Sequence, residues 1–109
     1  MATVYKVLGQ SCPSATTATT LYTVPASTST VVSTITVANL AGSAATFRIS
    51  VRPAAAVQTN AMYIAYDVTV GATDTTTLTL GLTLATTDVI TVYASTATLA
   101  FNAYGSEIA

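Results

Sequence analysis

Alternation of apolar and polar residues with a period of two runs through most of the chain, and it limits the possible folds more than any other feature. In TFRISVR, three apolar side chains alternate with Arg48, Ser50 and Arg52. In TTTLTLGLTL, leucine occupies every second position from Leu78 to Leu84. Threonine and valine, which are frequent throughout, favour extended backbone because their branched side chains are restricted in helices. The pattern therefore predicts strands almost everywhere and no substantial helix.

Turn sequences interrupt this alternation about every 8 to 14 residues. Gly9, Pro25 and Pro53 each end an alternating segment, and LAGSA, GATD and ATTD separate others. These turns divide the chain into about eight short strands. We therefore predict an all-β fold in which residues 1–109 form a single antiparallel β-sandwich, either immunoglobulin-like or jelly-roll-like. An immunoglobulin domain proper is disfavoured, because the chain has one cysteine and no tryptophan.

Charged residues are unusually sparse, at 6% of the chain, against about 25% in ordinary globular domains. A folded monomer of this mass exposes roughly 5,600 Å², which leaves about 800 Å² for each charge. One partner contributes about the same area to a standard protein interface. The composition predicts a protein that packs against neighbours through uncharged surfaces. The alternative is a compact monomer kept soluble by serine and threonine hydroxyls.

Several partner classes are disfavoured by the composition. The basic residues are Lys6, Arg48 and Arg52, too few for a phosphate-binding surface, so we expect no nucleic-acid partner. No apolar run approaches 18 residues, and we expect no membrane partner. The first residues lack the pattern of a signal peptide. Cys12 is the single cysteine, so no disulfide forms within the chain, in keeping with folding in a reducing cytoplasm.

The residue types that perform catalysis are mostly missing. There is no histidine, and the four acids, Asp67, Asp74, Asp88 and Glu107, are scattered without metal-ligand or paired-carboxylate spacing. We therefore predict no enzyme activity, no catalytic residue, no cofactor and no metal. Asp74 and Asp88 precede strands and are predicted to cap turns by accepting bonds from nearby amides. A hydrolase site assembled from two distant carboxylates is the remaining enzymatic alternative.

Four residues are candidates for contact with a partner. Arg48 and Arg52 share one face of a predicted strand and suit bidentate pairing with carboxylates of a partner, although a solvated outer face is the alternative. Thr79 and Gly81 lie on the weakly polar face of the leucine-rich strand. We predict that its leucines fill the core while this face lies flat against a neighbour.

Tyrosines are the other candidate binding residues. Tyr63, Tyr66, Tyr93 and Tyr104 lie within predicted strands. Tyrosine in a strand is commonly half-buried with its hydroxyl at the rim, so we expect these four side chains to pack. Exposed aromatic rings can also stack on sugars, which keeps glycan binding open as an alternative.

Segments along the whole chain resemble a known family. They are KVLGQS, LYTVPASTSTVVSTITVAN, FRISVRPA, YIAYD, LTLGLTLATTDVITVYAS and YGSEIA. With these segments the chain resembles small all-β virion structural proteins of tailed bacteriophages, particularly phages of cyanobacteria and other aquatic bacteria. The segments are strands and turns, so the resemblance carries over no site residues.

The resemblance implies a virion component without enzymatic activity, assembled in the host cytoplasm. The first expectation is a capsid decoration, or cement, protein that bridges neighbouring capsid subunits. Its partners would be the major capsid protein or other virion proteins, and copies of itself, with a trimer favoured. The alternative is a tail, baseplate or fibre component with host-surface glycan binding.

Overall fold

Residues 2–109, which the computed structural model describes, form eight β-strands in two antiparallel sheets that pack face to face. The predicted β-sandwich is confirmed. The strands are β1 (Thr3–Ser11), β2 (Thr19–Thr23), β3 (Ser29–Asn39), β4 (Ala45–Arg52), β5 (Tyr63–Val70), β6 (Thr75–Leu84), β7 (Val89–Ala94) and β8 (Leu99–Ile108). Two single 3₁₀ turns, Pro53–Ala55 and Asn60–Met62, lie between β4 and β5.

The strand order distinguishes between the two predicted layouts. The first sheet runs β1-β8-β3-β6 and the second runs β2-β7-β4-β5. The strands therefore form four antiparallel pairs, β1 with β8, β2 with β7, β3 with β6 and β4 with β5. This is the order of a jelly roll, in which a long hairpin is rolled so that alternate pairs fall in opposite sheets.

The core lies between the two sheets and consists of the inward-facing side chains of every strand. Its centre is an edge-to-face contact between Phe47 of β4 and Phe101 of β8, with ring centroids 6.0 Å apart. Each fully buried side chain of this size contributes about 1.5–3 kcal/mol relative to an exposed one. The largest of the other fully buried side chains are Ile35, Ile49, Ile90, Leu99, Val24, Val32, Val37, Val70 and Val92.

The leucines of β6 fill the core less completely than predicted. Leu84 is buried, but Leu78, Leu80 and Leu82 are half-buried and pack along the margin of the core. The reason is that β6 is the outer strand of the first sheet. The sandwich is open on the side where β6 faces β5, so no second layer covers these leucines completely.

Alternation over MYIAYDVTV predicts that Met62, Ile64, Tyr66, Val68 and Val70 share one face, and this prediction is wrong. The pairing of β4 with β5 shifts register twice, between Phe47 and Ile49 and again between Ile49 and Ser50. As a result Ala65 is buried, while Ile64 and Tyr66 are 41% and 56% exposed. Bulges of this kind add a residue to one strand and redirect the side chains on either side.

Four turns share an unusual backbone feature. In SATT, PAST, GATD and ATTD the third residue has a positive φ, and it is Thr16, Ser27, Thr73 or Thr87. In GATD and ATTD the amide of the last residue also donates to the carbonyl of the first, at 3.2 Å and 3.1 Å. Positive φ is normally the conformation of glycine or asparagine, so the residue types do not reveal the left-handed conformation of these turns.

Candidate partner-contact surfaces

The seven charged side chains are all engaged within the chain. Lys6 forms a 3.0 Å ion pair with Glu107, and Arg48 a 2.6 Å ion pair with Asp67. The remaining three, Asp74, Asp88 and Arg52, bond to backbone groups. The folded chain exposes 5413 Å², close to the roughly 5,600 Å² expected from its mass. Its surface therefore offers a partner broad areas of hydroxyl, backbone and apolar groups.

The predicted capping roles of two aspartates are confirmed. Asp74 accepts a 2.8 Å bond from the amide of Thr75, which opens β6. Asp88 accepts bonds from the amides of Ala85, in its own turn, and Ala54, in the β4–β5 connector, both at 2.9 Å. These carboxylates stabilise turns, with both oxygens of Asp88 and one oxygen of Asp74 accepting bonds from backbone amides.

Arg48 lies on the outer face of the second sheet, and its guanidinium contacts one carboxylate and two aromatic rings. It donates to both carboxylate oxygens of Asp67, at 2.6 Å and 3.3 Å. It also lies between the rings of Tyr66 and Tyr93, 4.2 Å and 4.6 Å from their centroids. The bond from Arg48 lowers the pKa of Asp67. This fork already holds a carboxylate of the chain itself, so the predicted pairing with a partner's carboxylate would require Arg48 to release Asp67.

Arg52 lies on the same outer face as Arg48, as predicted, and it fastens the connector after β4. It donates to the carbonyls of Ala56 and Ala55, at 2.8 Å and 3.1 Å, and to the Thr91 hydroxyl at 3.3 Å. No carboxylate among residues 2–109 forms an ion pair with it. Its charge is thus balanced by carbonyl dipoles and not by a carboxylate.

Two depressions lie on this outer face. The first, of about 100 Å³, has a lining that includes Arg48, Ser50 and Arg52. It has room for a few water molecules. The second, of about 300 Å³, is lined by Asn60, Tyr63 and Tyr66. The two tyrosine rings meet edge to face at 4.9 Å, and Arg48 covers one side of the Tyr66 ring. The predicted packing role therefore holds for the half-buried Tyr63, whereas Tyr66 is a surface residue.

The outer edge of the first sheet carries the other two predicted contact residues. Thr79 and Gly81 are both exposed on β6, and a Cβ added to Gly81 would meet nothing within 4 Å. Beside this edge runs an apolar groove of about 480 Å³ on the open side of the sandwich. Its lining includes Val51, Met62, Ile64, Leu82 and Leu84.

A second apolar area was not predicted from the sequence. It lies on the outer face of the first sheet, where Tyr5 is 84% exposed and Val7 and Tyr104 are also exposed. A shallow depression of about 390 Å³ is lined by Tyr5 and Tyr104 together with Val31 of β3. The pairing of β1 with β8 brings these residues together, and the sequence does not show that pairing.

Among residues 2–109 no group of three potential metal-ligating side chains comes together, and no helix is long and apolar enough to cross a membrane. Comparisons with protein families, with characterised proteins and with solved structures returned no match.

Proposed function

We propose that this protein is a non-enzymatic structural component of a tailed-phage virion, and that it decorates the capsid by bridging neighbouring capsid subunits. The observation that carries this proposal is the internal engagement of every charged side chain. The few exposed charges each have a partner within the chain, and the surface between them is uncharged and partly apolar on both sides of the sandwich. Such a surface suits permanent packing against other proteins more than life as a free monomer.

The shape of the molecule supports a bridging role. It measures 45 × 28 × 19 Å, so the two sheets present broad faces on opposite sides of a thin body. One face carries the Tyr5 and Tyr104 area, and the other carries Arg48 with its tyrosines. A rigid body with two such faces can contact two subunits at once. Jelly rolls also occur in viral capsid proteins, and this analogy of fold supports the role.

A tail, baseplate or fibre component that binds host glycans is the second candidate. The depression formed by Asn60, Tyr63 and Tyr66 favours it, because tyrosine rings beside an amide can stack on and hydrogen-bond to a sugar. A glycan array tests this candidate directly. Binding that Tyr66→Ala abolishes would support it, and an array without hits would reject it.

The number of copies in purified particles tests the capsid role. Quantitative peptide mass spectrometry would give the ratio of this protein to the major capsid protein. About one copy per capsid subunit, or one per three, is expected for a decoration protein on a symmetric shell. A few copies per hundred subunits would place it in the tail or baseplate. Absence from the particle would reject both roles.

A further inference from the structure

One edge of β6 has no partner strand among residues 2–109. The strand is ten residues long and contains neither a charged residue nor proline. Free edges expose backbone donors and acceptors, and proteins usually protect them with lysine, proline, short strands or bulges. Here the single protection is a bulge, which shifts the register between β6 and β3 at Leu80 and Gly81. A long, uncharged edge of this kind is suited to pairing with another strand.

The sequence of β6 is nearly symmetric about its centre. Reading outward from Leu80, Thr79 mirrors Gly81, Leu78 mirrors Leu82, and Thr77 mirrors Thr83. Two copies paired antiparallel about a two-fold axis at Leu80 would place leucine opposite leucine and threonine opposite threonine. There are two exceptions: Thr79 opposite Gly81, which puts a side chain against open space, and Thr76 opposite Leu84 at the ends of the paired segment. The strand is therefore complementary to a second copy of itself.

The absence of charge also favours a second copy over a different partner strand. Near a two-fold axis any charge lies close to its own copy, and like charges directly opposite each other in a sheet are destabilising. From Thr75 to Leu84 there is no charge to repel. A strand selected for a partner of other sequence has no such requirement.

The groove beside β6 supplies apolar area that such pairing would cover. Leu78, Leu80 and Leu82 are half-buried on the inner side of β6. Ile64, 41% exposed, faces the same groove from β5. The leucines of an added strand would point to this same side of the sheet, because side chains alternate in step along paired strands. The edge and the groove would be buried together.

We infer that β6 pairs antiparallel with β6 of a second copy of this chain, about a two-fold axis at Leu80. The two first sheets then form one continuous eight-stranded sheet, and the leucines of each copy cover the groove of the other. The pairing closes on itself, since each copy uses its single β6 edge, so it gives a dimer and not a fibre. This inference does not depend on the virion role, and it replaces the trimer implied by the family resemblance.

The experiment is sedimentation velocity of the full chain at ~100 µM. Wild type is expected to be dimeric, and Thr79→Lys is expected to weaken the dimer by at least about tenfold, because two ammonium groups then approach across the axis. Thr20→Lys is the matched control, since Thr20 is an exposed threonine on β2, the outer strand of the second sheet on the side away from β5 and the groove. It should dimerise as wild type does. Circular dichroism would verify that both variants are folded.

A cross-link gives the register. In a Cys12→Ser background, Leu80→Cys places two thiols across the axis, within reach of a disulfide, whereas Thr76→Cys places them at opposite ends of the paired segment. Oxidation should link the first variant and not the second. A monomeric wild type, a trimer, or a Thr79→Lys variant that associates normally would overturn the inference. None of these results bears on the copy number that tests the virion role.

Discussion

At the scale of single residues, the glycines of β1 and β6 have different structural roles. Gly9 lies where β1 approaches β2 of the opposite sheet, and an added Cβ would lie 2.1 Å from the carbonyl oxygen of Leu21. That atom is backbone and cannot move aside without shifting β2. Gly81 has open space around it. Gly9 allows β1 and β2 to approach closely, whereas no contact within the chain requires a glycine at position 81.

We expect Gly9→Ala to destabilise the fold and Gly81→Ala to leave it intact. Overpacking a tight contact costs about 1–3 kcal/mol, whereas an alanine in open space at an ordinary backbone conformation changes stability by about 0.5 kcal/mol or less. Urea unfolding of both variants measures the difference. Equal effects of the two substitutions would mean that the closeness of β1 to β2 does not limit stability.

Tyr22 joins the two sheets through a polar contact. Its hydroxyl lies 2.8 Å from the buried Thr30 hydroxyl of β3 and donates to Glu107 of β8 at 2.5 Å. Burial, followed by the bond to Glu107, raises the pKa of Tyr22 to about 12. The same bond, and then the one from Lys6, lowers the pKa of Glu107. The network is therefore stable with tyrosine protonated and glutamate ionised.

This network predicts a pH dependence of stability that Tyr22→Phe should remove in part. The raised pKa of Tyr22 stabilises the fold fully below about pH 10, and this contribution is lost as pH rises towards about 12. The lowered pKa of Glu107 stabilises the fold above the pKa of an unfolded glutamate, and this contribution is lost on acidification. At neutral pH we expect Tyr22→Phe to cost about 1.5–3 kcal/mol, the range for a hydrogen bond to a charged group.

Unfolding free energies of wild type and Tyr22→Phe from pH 3 to pH 12 would measure this dependence. The difference between the two proteins should be largest near neutrality and shrink at both ends. A difference that stays constant across the range would show that the hydroxyl contributes through packing alone.

The contrast between these residues shows what the sequence can predict at this scale. The turn-capping roles of Asp74 and Asp88 were predictable because the backbone amides that they bind lie in the same turn or at the next residue. The bond of Tyr22 to Glu107 spans 85 positions, and that of Arg48 to Asp67 spans 19. Neither is visible without strand order, which the alternation of apolar and polar residues does not contain.

At the scale of elements, the four turns with positive φ show how this chain makes tight turns between strands of opposite sheets with little glycine. Thr16, Thr73 and Thr87 each donate from the hydroxyl to the preceding carbonyl. A left-handed conformation costs a residue with a Cβ roughly 1–2 kcal/mol, and this local bond partly offsets that cost. The turns are therefore strained positions that the flanking strands hold in place.

We expect Thr73→Gly to stabilise the protein, whereas Ala72→Gly in the same turn destabilises it. Glycine removes the strain at residue 73, and its extra entropy in the unfolded chain offsets about 0.5–1 kcal/mol of that gain. At Ala72, where φ is not positive, glycine adds the entropic cost and relieves nothing. Thermal unfolding of the two variants provides the measurement. A lower midpoint for Thr73→Gly would mean that the threonine hydroxyl outweighs the strain.

Strand prediction succeeded or failed according to position in the sheets. In β4, an interior strand, alternation gave the correct inward and outward residues over Phe47 to Arg52. In β5 it failed at Ile64 and Tyr66, because bulges on an outer strand change the alternation without changing residue types. In β6 the alternation correctly predicted which side chains face inward. It did not predict how deeply the leucines are buried, because the pattern does not show whether a strand is central or peripheral in its sheet.

At the scale of the whole molecule, the distribution of charge determines how association should respond to salt. Four of the seven charged side chains form two ion pairs within the chain, and the other three bond to its backbone. Steering by charge across an interface needs charges that are not already compensated. We expect contacts with a partner to come mainly from apolar burial and from hydroxyl and backbone hydrogen bonds.

Under the proposed virion role, we therefore expect binding of the protein to virus particles to be nearly independent of ionic strength. Between about 0.05 and 1 M NaCl the screening length falls severalfold, to about 3 Å, so a charged interface would weaken markedly while an apolar one would not. The measurement is the fraction of recombinant protein retained on particles across this range. Asp67→Asn is the matched control, because it frees the Arg48 charge while asparagine tolerates the positive φ of this position. Retention that depends on salt in Asp67→Asn alone is the expected result. Release of the wild-type protein by salt would show that its paired charges still contact the partner.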